Sequence, residues 1–485
     1  MTYPYVPNPP WENLPSTDTP IAAAPLQNIE NGIKSLSDLM PSKAAVTHEH
    51  STADLTDSGD VAALSATILG FLDADNATAA RAAIGAGVPG GGTTGGVTGW
   101  VTVAASNAPQ EQKDGADLVC DGVDDQVQIN AALVTASRTN DGFGGENRIG
   151  VLLIGGTFFV GNTTAGGGGS ILMLPNTTLQ GFGWGTIITP MFAFGSTQGA
   201  VQKGHIHASH TTVRDLAIGK MASTGGPVEF NGTGIKYTNT SPVAPWEVWD
   251  LNTGDGVDMY DLIDNVLVHS ASYRGIQSGD ISTGSTPSGT RIRNCYAYGS
   301  TREGFYVESA NAHLSGCRAT GGAGYSRYAI FGGDAQLEGC LASGSGTKSG
   351  TAALAGADGF NVTADLAQLT GCQAQDCCGF GFNLGGQEFT VVSAHAESNE
   401  TGFRIAGNGS VVGATHTYRP GGVRPGDKGY LIAGTPKIML TGRSRIPVAS
   451  GQYHNSGSAA TNSYVRVVRE GAGATAAPQT LWAVG

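Results

Sequence analysis

The run SPVAPWEVWDLNTGDGVDMYDLID places Trp246 and Trp249 beside Glu247 and Asp250, with Asp255 and Asp258 following. Indole faces stack on sugar rings and carboxylates accept from sugar hydroxyls, so Trp246 and Trp249 are candidate glycan contacts. Glu247, Asp250, Asp255 and Asp258 are the candidates for acid–base work, since glycoside hydrolysis needs two carboxylates about 5 to 9 Å apart. A lyase would instead need a base and a charge-neutralising Arg, Lys or Ca²⁺. The same residues fit an insertion whose tryptophans pack on a neighbouring surface while its acids face water, because aromatic-plus-acid clustering does not specify a site. Two histidine groups also stand out: His48 and His50 in THEHSTADL, and His205, His207 and His210 in GHIHASH. On an extended segment alternate rings face the same way, so His48 and His50 could ligate one metal; a solvated linker pair reads equally well. The second group precedes a strand and reads as surface. Arg443, Arg445, Tyr453 and His454 form a last polar group near the carboxy terminus.

The chain that must position these residues has 485 of them, including 75 glycines, and only 13% carry charge. That composition favours an all-β or solenoid protein with many tight turns. A formal charge of −13 argues against nucleic acid as a partner. No apolar leader or run long enough to cross a bilayer is visible, so no membrane insertion is expected. The seven cysteines lack disulfide-scaffold or zinc spacing and read as small buried thiols.

A repeat supplies the architecture. RIRNCYAYGS, HLSGCRATGG and QLEGCLASGS share a pattern whose centres fall at Phe182, Leu216, Val266, Cys295, Cys317, Cys340, Cys372, Ala394 and Ala414. The later intervals of 22, 23, 32, 22 and 20 residues mark a solenoid with one coil per repeat. Three places before each centre stands an aliphatic residue; two places after it stands a small or apolar one. The first spacing breaks strand alternation, so a corner lies between. The residue before the centre is Gly181, Asp215, Asn265, Asn294, Gly316, Gly339, Gly371, Ser393 or Gly413, mostly types that accept positive φ. A second strand follows, as in GIKY, GFYV and GFRI. Stacked left-handed corners joining strands predict a parallel β-helix, nine coils making a rod about 40 Å long at roughly 4.8 Å per coil. Arg214, Asp264 and Arg293 face outward on neighbouring coils and read as an exposed charge ladder. Glu303 and Glu308 flank GFYV, but the equivalent positions on adjacent coils are not carboxylates.

The opening of the stack, DGVDDQVQINAAL, then GGTF, then LPNTTLQGFGWGTII, resembles the pectate-lyase-like right-handed β-helix domains of phage tail proteins. In that family a short helix caps the open end. Here the helix is expected after Asp124 and Asp125, acting as N-caps, with Val127, Ala131 and Val134 on one face. The segment NPPWENLPSTDTPIAAAPLQNIENGIKSL resembles amino-terminal attachment regions of tail fibres, with a helix expected from Ile21 to Leu39; FLDADNATAARAAIGAG also resembles a tail-fibre segment.

These readings define an all-β, right-handed parallel β-helix solenoid with an amino-terminal attachment region and a small carboxy-terminal β tip. The expected divisions are 1–90 for attachment and trimerisation, 91–99 for a Gly-rich linker, 100–420 for the β-helix and 421–485 for the tip. The resemblance implies a homotrimeric phage tail fibre or minor tail protein, made in the host cytoplasm and placed in the virion tail. Its implied partners are itself, other tail proteins and host cell-surface glycan. No cofactor is required, although His48 and His50 of three chains would give a trimer-axis metal site. The expected role is adhesive; the alternatives are a tailspike depolymerase, as a polysaccharide hydrolase or lyase, and a bacterial or prophage carbohydrate-active enzyme.

Overall fold

A computed structural model describes residues 100–138, 150–161, 169–193, 198–203, 210–221, 227–237, 261–279, 289–321, 325–344, 357–417, 428–434, 436–445, 453–455 and 464–469. The attachment region 1–90 and linker 91–99 lie outside them.

The described chain is a right-handed parallel β-helix. Each regular coil contributes one strand before a corner, one after it, and one on a second sheet. The first two sets form a 21-stranded sheet; the third forms an 11-stranded sheet from Ile171–Met173 to Tyr453–Asn455. Pairing is in register: Ile292 lies against Leu314, Leu314 against Leu337, and Leu337 against Leu369. Like side chains therefore stack on like, and a column in the alignment becomes a column in space.

The corners have the geometry their residue types demand. Asp215, Asn265, Asn294 and Ser393 have φ between 53° and 56°, or 52° at Asn294, while Gly316, Gly339, Gly371 and Gly413 lie between 58° and 66°. Asn and Asp tolerate this region because their short polar chains bond locally; Asn265 Nδ2 donates to Asp215 Oδ1 at 2.9 Å on the adjacent coil. The first repeat departs from the others. Phe182 is 69% exposed, and Ala217 donates to the Thr186 carbonyl, so buried Thr186 takes the place opposite Leu216. Residues 182–185 are an insertion at the corner, and Gly181 is not left-handed. A local pattern match could not see the extra residues.

Inside the stack, Cys295, Cys317, Cys340 and Cys372 form a buried file. The thiols of Cys317, Cys340 and Cys372 reach back to carbonyls of Ile292, Leu314 and Leu337 on the preceding coil, at 3.3, 3.6 and 3.5 Å. Ala297, Ala319, Ala342, Ala374 and Ala396 make the next buried file. The second sheet packs against this alanine file. A Cβ on Gly304 would sit 2.8 Å from the Ala319 Cβ, and one on Gly359 would sit 2.9 Å from that of Ala374. Glycine there is a close-approach requirement. Phe305, Phe360, Phe382, Phe403 and Tyr430, each following a glycine, and Tyr328, following Arg327, stack with centroids 4.6 to 5.2 Å apart.

The helix Gln126–Arg138 packs against the first strands of the stack. Its buried face is Ile129, Ala132, Leu133 and Ala136, whereas Val127 is 60% exposed. The expected face through Val127, Ala131 and Val134 is therefore rotated, and the bulkier Ile129 and Leu133 take the core. Asp125 stands at the N-cap position, its carbonyl accepting from the Ile129 amide at 3.1 Å, while its two carboxylate oxygens accept from the Gly122 and Phe159 amides, each at 2.7 Å, and tie the helix entry to the strand Thr157–Val160. Parallel pairing continues past residue 420, through Lys428–Ile432, Ile438–Arg445 and Tyr464–Arg469. The coil ladder thus runs on into the segment assigned to a separate tip. Among the described residues, no helix is long and apolar enough to cross a membrane.

Candidate functional site

The turns entering the second sheet carry the richest polar and aromatic cluster. Adjacent coils align as Tyr273-Arg274-Gly275, Arg302-Glu303-Gly304 and Tyr325-Ser326-Arg327, because Gly275 donates to the Glu303 carbonyl and Phe305 to that of Arg327. Stacking then places the Arg302 guanidinium between two phenol rings, 4.6 Å from the Tyr273 centroid and 4.8 Å from that of Tyr325. Tyr325 is 41% exposed, and Tyr273 and Arg302 are half-buried. A cation held over aromatic faces is worth about 0.5–2 kcal/mol, more as water is excluded.

Behind this face lies a charged layer. Arg274 Nε donates to Glu303 Oε2 at 3.0 Å, with both side chains nearly buried, and Arg302 Nε stands 3.8 Å from the same oxygen. The Arg274 guanidinium also lies 3.2 Å from the Tyr306 ring centroid. The Tyr306 hydroxyl donates to Glu308 Oε1. Burial, and then the Glu308 hydrogen bond, hold the Tyr306 phenol well above its ordinary range. Phe331 meets the Tyr306 ring with centroids 5.4 Å apart. Buried Arg327 takes the position that other coils give to glycine, and its Nη2 donates to the Tyr325 carbonyl at 3.1 Å. Burial pulls its guanidinium down to about 10.

Along the same sheet the outward row continues through polar side chains. Asn383 donates to Asp358 and to Asn361, both at 3.2 Å, and accepts from Arg404 Nη1 at 2.6 Å. Burial chiefly raises the Asp358 carboxyl. The face thus offers aromatic planes, guanidinium edges and amides in a line along the coil axis. Such groups bind hydroxyls and ring faces of a sugar chain. Among the carboxylates, Glu303 is occupied by arginine and Glu308 by tyrosine.

Trp246, Glu247, Trp249, Asp250, Asp255 and Asp258 lie outside the described residues, as do His48, His50, His205 and His207. His210 is described, at φ 56° and half-buried. Of the carboxy-terminal group, Arg443 is exposed, and the other three side chains are not described. The charge ladder forms only in part. Arg293 pairs with Asp264 at 2.9 Å, but Arg214 turns to its own neighbour Asp215 at 2.7 Å. The Tyr273–Arg302–Tyr325 group was missed by the sequence reading. Its signal was present in the third residue before each second-sheet strand, in SYRGIQS, TREGFYV and GYSRYAI.

No family model and no curated protein matches the chain. Among solved structures it is similar to the mannuronan C-5 epimerase AlgE6 A-module of Azotobacter vinelandii, at 18% identity and TM-score 0.47, covering 72% of this chain and 91% of that one. It is also similar to tailspike protein 2 of the Escherichia coli O157:H7 bacteriophage CAB120, at 11% identity and TM-score 0.48, over 64% of this chain and 40% of that one. Pectate lyase Pel9A matches at 16% identity and TM-score 0.32, over 65% and 72%. At these scores the fold rests on the strand pairing itself, and the likenesses say nothing about activity.

Proposed function

We propose that the chain is a structural protein of a phage tail whose β-helix adheres to host cell-surface glycan along the Tyr273–Arg302–Tyr325 face. The observation that carries this reading is the guanidinium held between two accessible phenol rings on successive coils. The placement in the virion tail and the attachment role of residues 1–90 rest on the sequence resemblance. So do the homotrimer, the partner tail proteins and a metal held by His48 and His50. Three parallel rods would bury flat side faces, which gives the trimer a physical rationale. Retention of the purified protein on envelope polysaccharide of a host, with the polymer length unchanged, is the expected outcome. Failure to bind polysaccharide from any host that the phage infects would sink the adhesive reading.

A second reading, depolymerisation, is favoured by the Tyr306–Glu308 pair beside Arg274, which could exchange a proton with a bound sugar. New reducing ends that vanish in Glu308→Gln would establish it in place of adhesion.

A further inference from the structure

Lys203 ends the second-sheet strand Gly199–Lys203, and Asp261 immediately precedes the strand Leu262–His269. Both side chains are fully buried, and Nζ stands 2.5 Å from Oδ2. That approach is close in distance but not hydrogen-bonded in its angles, for Oδ2 accepts no hydrogen bond. The other oxygen is firmly held. Oδ1 accepts from the Thr211 amide at 3.1 Å and from Thr211 Oγ1 at 2.8 Å. The Tyr237 hydroxyl lies 3.1 Å from Thr211 Oγ1, and the Tyr237 ring centroid is 5.5 Å from Nζ.

Moving one proton from Nζ to Oδ2 leaves a neutral amine against a neutral acid, the reactants for an amide. We propose that Lys203 and Asp261 join their side chains in an isopeptide bond. The Nζ lone pair adds to Cγ, and negative charge develops on Oδ1, where the two Thr211 donors already point. The Cγ–Oδ2 bond then breaks. Oδ2 leaves as water, carrying the proton received first and a second from nitrogen. One ammonium and one carboxylate become one amide and one water, so no oxidant, reductant or activated co-reactant is needed. Fixed proximity replaces the activation that a free amine and acid would require. The bond would cross-link two coils across the segment 204–260 and constrain the unfolded chain as a disulfide does.

Intact-mass measurement of the denatured full chain tests this directly. The expected mass is one water below that of the sequence, and digestion should yield the Lys203 and Asp261 peptides covalently joined. Asp261→Asn should form the same amide and fall one ammonia below its own sequence mass. Lys203→Arg should restore the full mass. A wild-type chain at full mass with the two peptides separate would show an ion pair only and overturn the proposal. A lost water mapped elsewhere, with trypsin cleaving after Lys203, would overturn it equally.

Discussion

Arg302 shows how much a single side chain gains from its coil neighbours: alone in a turn it would be a solvated cation, but stacking holds its guanidinium 4.6 Å from the Tyr273 ring centroid and 4.8 Å from that of Tyr325. Held there, the cation lies beside two aromatic rings on successive coils. Replacing Tyr325 by Ala or Arg302 by Gln should each weaken polysaccharide retention about tenfold, on the 1–2 kcal/mol scale of such contacts, while lowering the thermal midpoint only by the small amount that one cation–aromatic contact contributes to the fold. A midpoint drop that tracks the binding loss would instead assign these residues to folding. Gly371 isolates another residue-level effect. It has φ 62°, and a Cβ there would meet nothing within 4 Å. Gly371→Val should therefore destabilise by about 1–2 kcal/mol through backbone strain alone, and Gly371→Asn by less. Equal chemical-denaturation midpoints for the two variants would contradict the left-handed corner.

At the scale of elements, stability comes from files of side chains that no single strand contains. Phe382 stacks between Phe360 and Phe403 at 4.9 Å on either side. Phe382→Ala should cost about 3–5 kcal/mol in denaturant unfolding, because it opens a cavity in the middle of a continuous file. A cost below 1 kcal/mol would mean that the neighbouring rings close the gap. His416 occupies the file that alanine fills on earlier coils, opposite Ala396, and burial pushes its imidazole down to about 3. The unfolded chain protonates this residue near pH 6.5, whereas the folded chain resists until about pH 3. Stability is thus fully present above pH 6.5 and falls as the pH drops through that window. His416→Gln should flatten this acid limb in a pH series of unfolding free energies; an unchanged slope would assign the loss to other groups.

On the scale of the whole molecule, a ladder of coils has two long sides and few edges, and its outward rows line up aromatic and polar groups along one axis. A homotrimer should appear in light scattering as three times the chain mass. If His48 and His50 hold a metal between chains, a strong chelator should lower the thermal midpoint of the full trimer and His48→Ala should abolish that response. A monomer at micromolar concentration would remove both expectations. Much of this organisation was legible without coordinates. The corner types at Asp215, Asn265 and Asn294, the cysteine and alanine columns, and the recurring glycine-plus-aromatic strands all repeat once per coil. Repetition makes a weak local preference into a strong pattern. What did not repeat was misread or unseen: the insertion after Gly181, the rotated helix face, and the continued pairing after residue 420.

The sequence by itself determined the coil, because each coil's inward residues and left-handed corner are local requirements that recur in order. Tertiary structure alone decided which turns meet. Tyr273, Arg302 and Tyr325 sit in different repeats, and Lys203 and Asp261 on either side of a long insertion. Each pair's proximity follows from coils rising about 4.8 Å apart, whatever the number of residues between them. Spacing along the chain encodes the period of a solenoid. It does not encode contacts that depend on how many residues each coil loops out before returning to the stack.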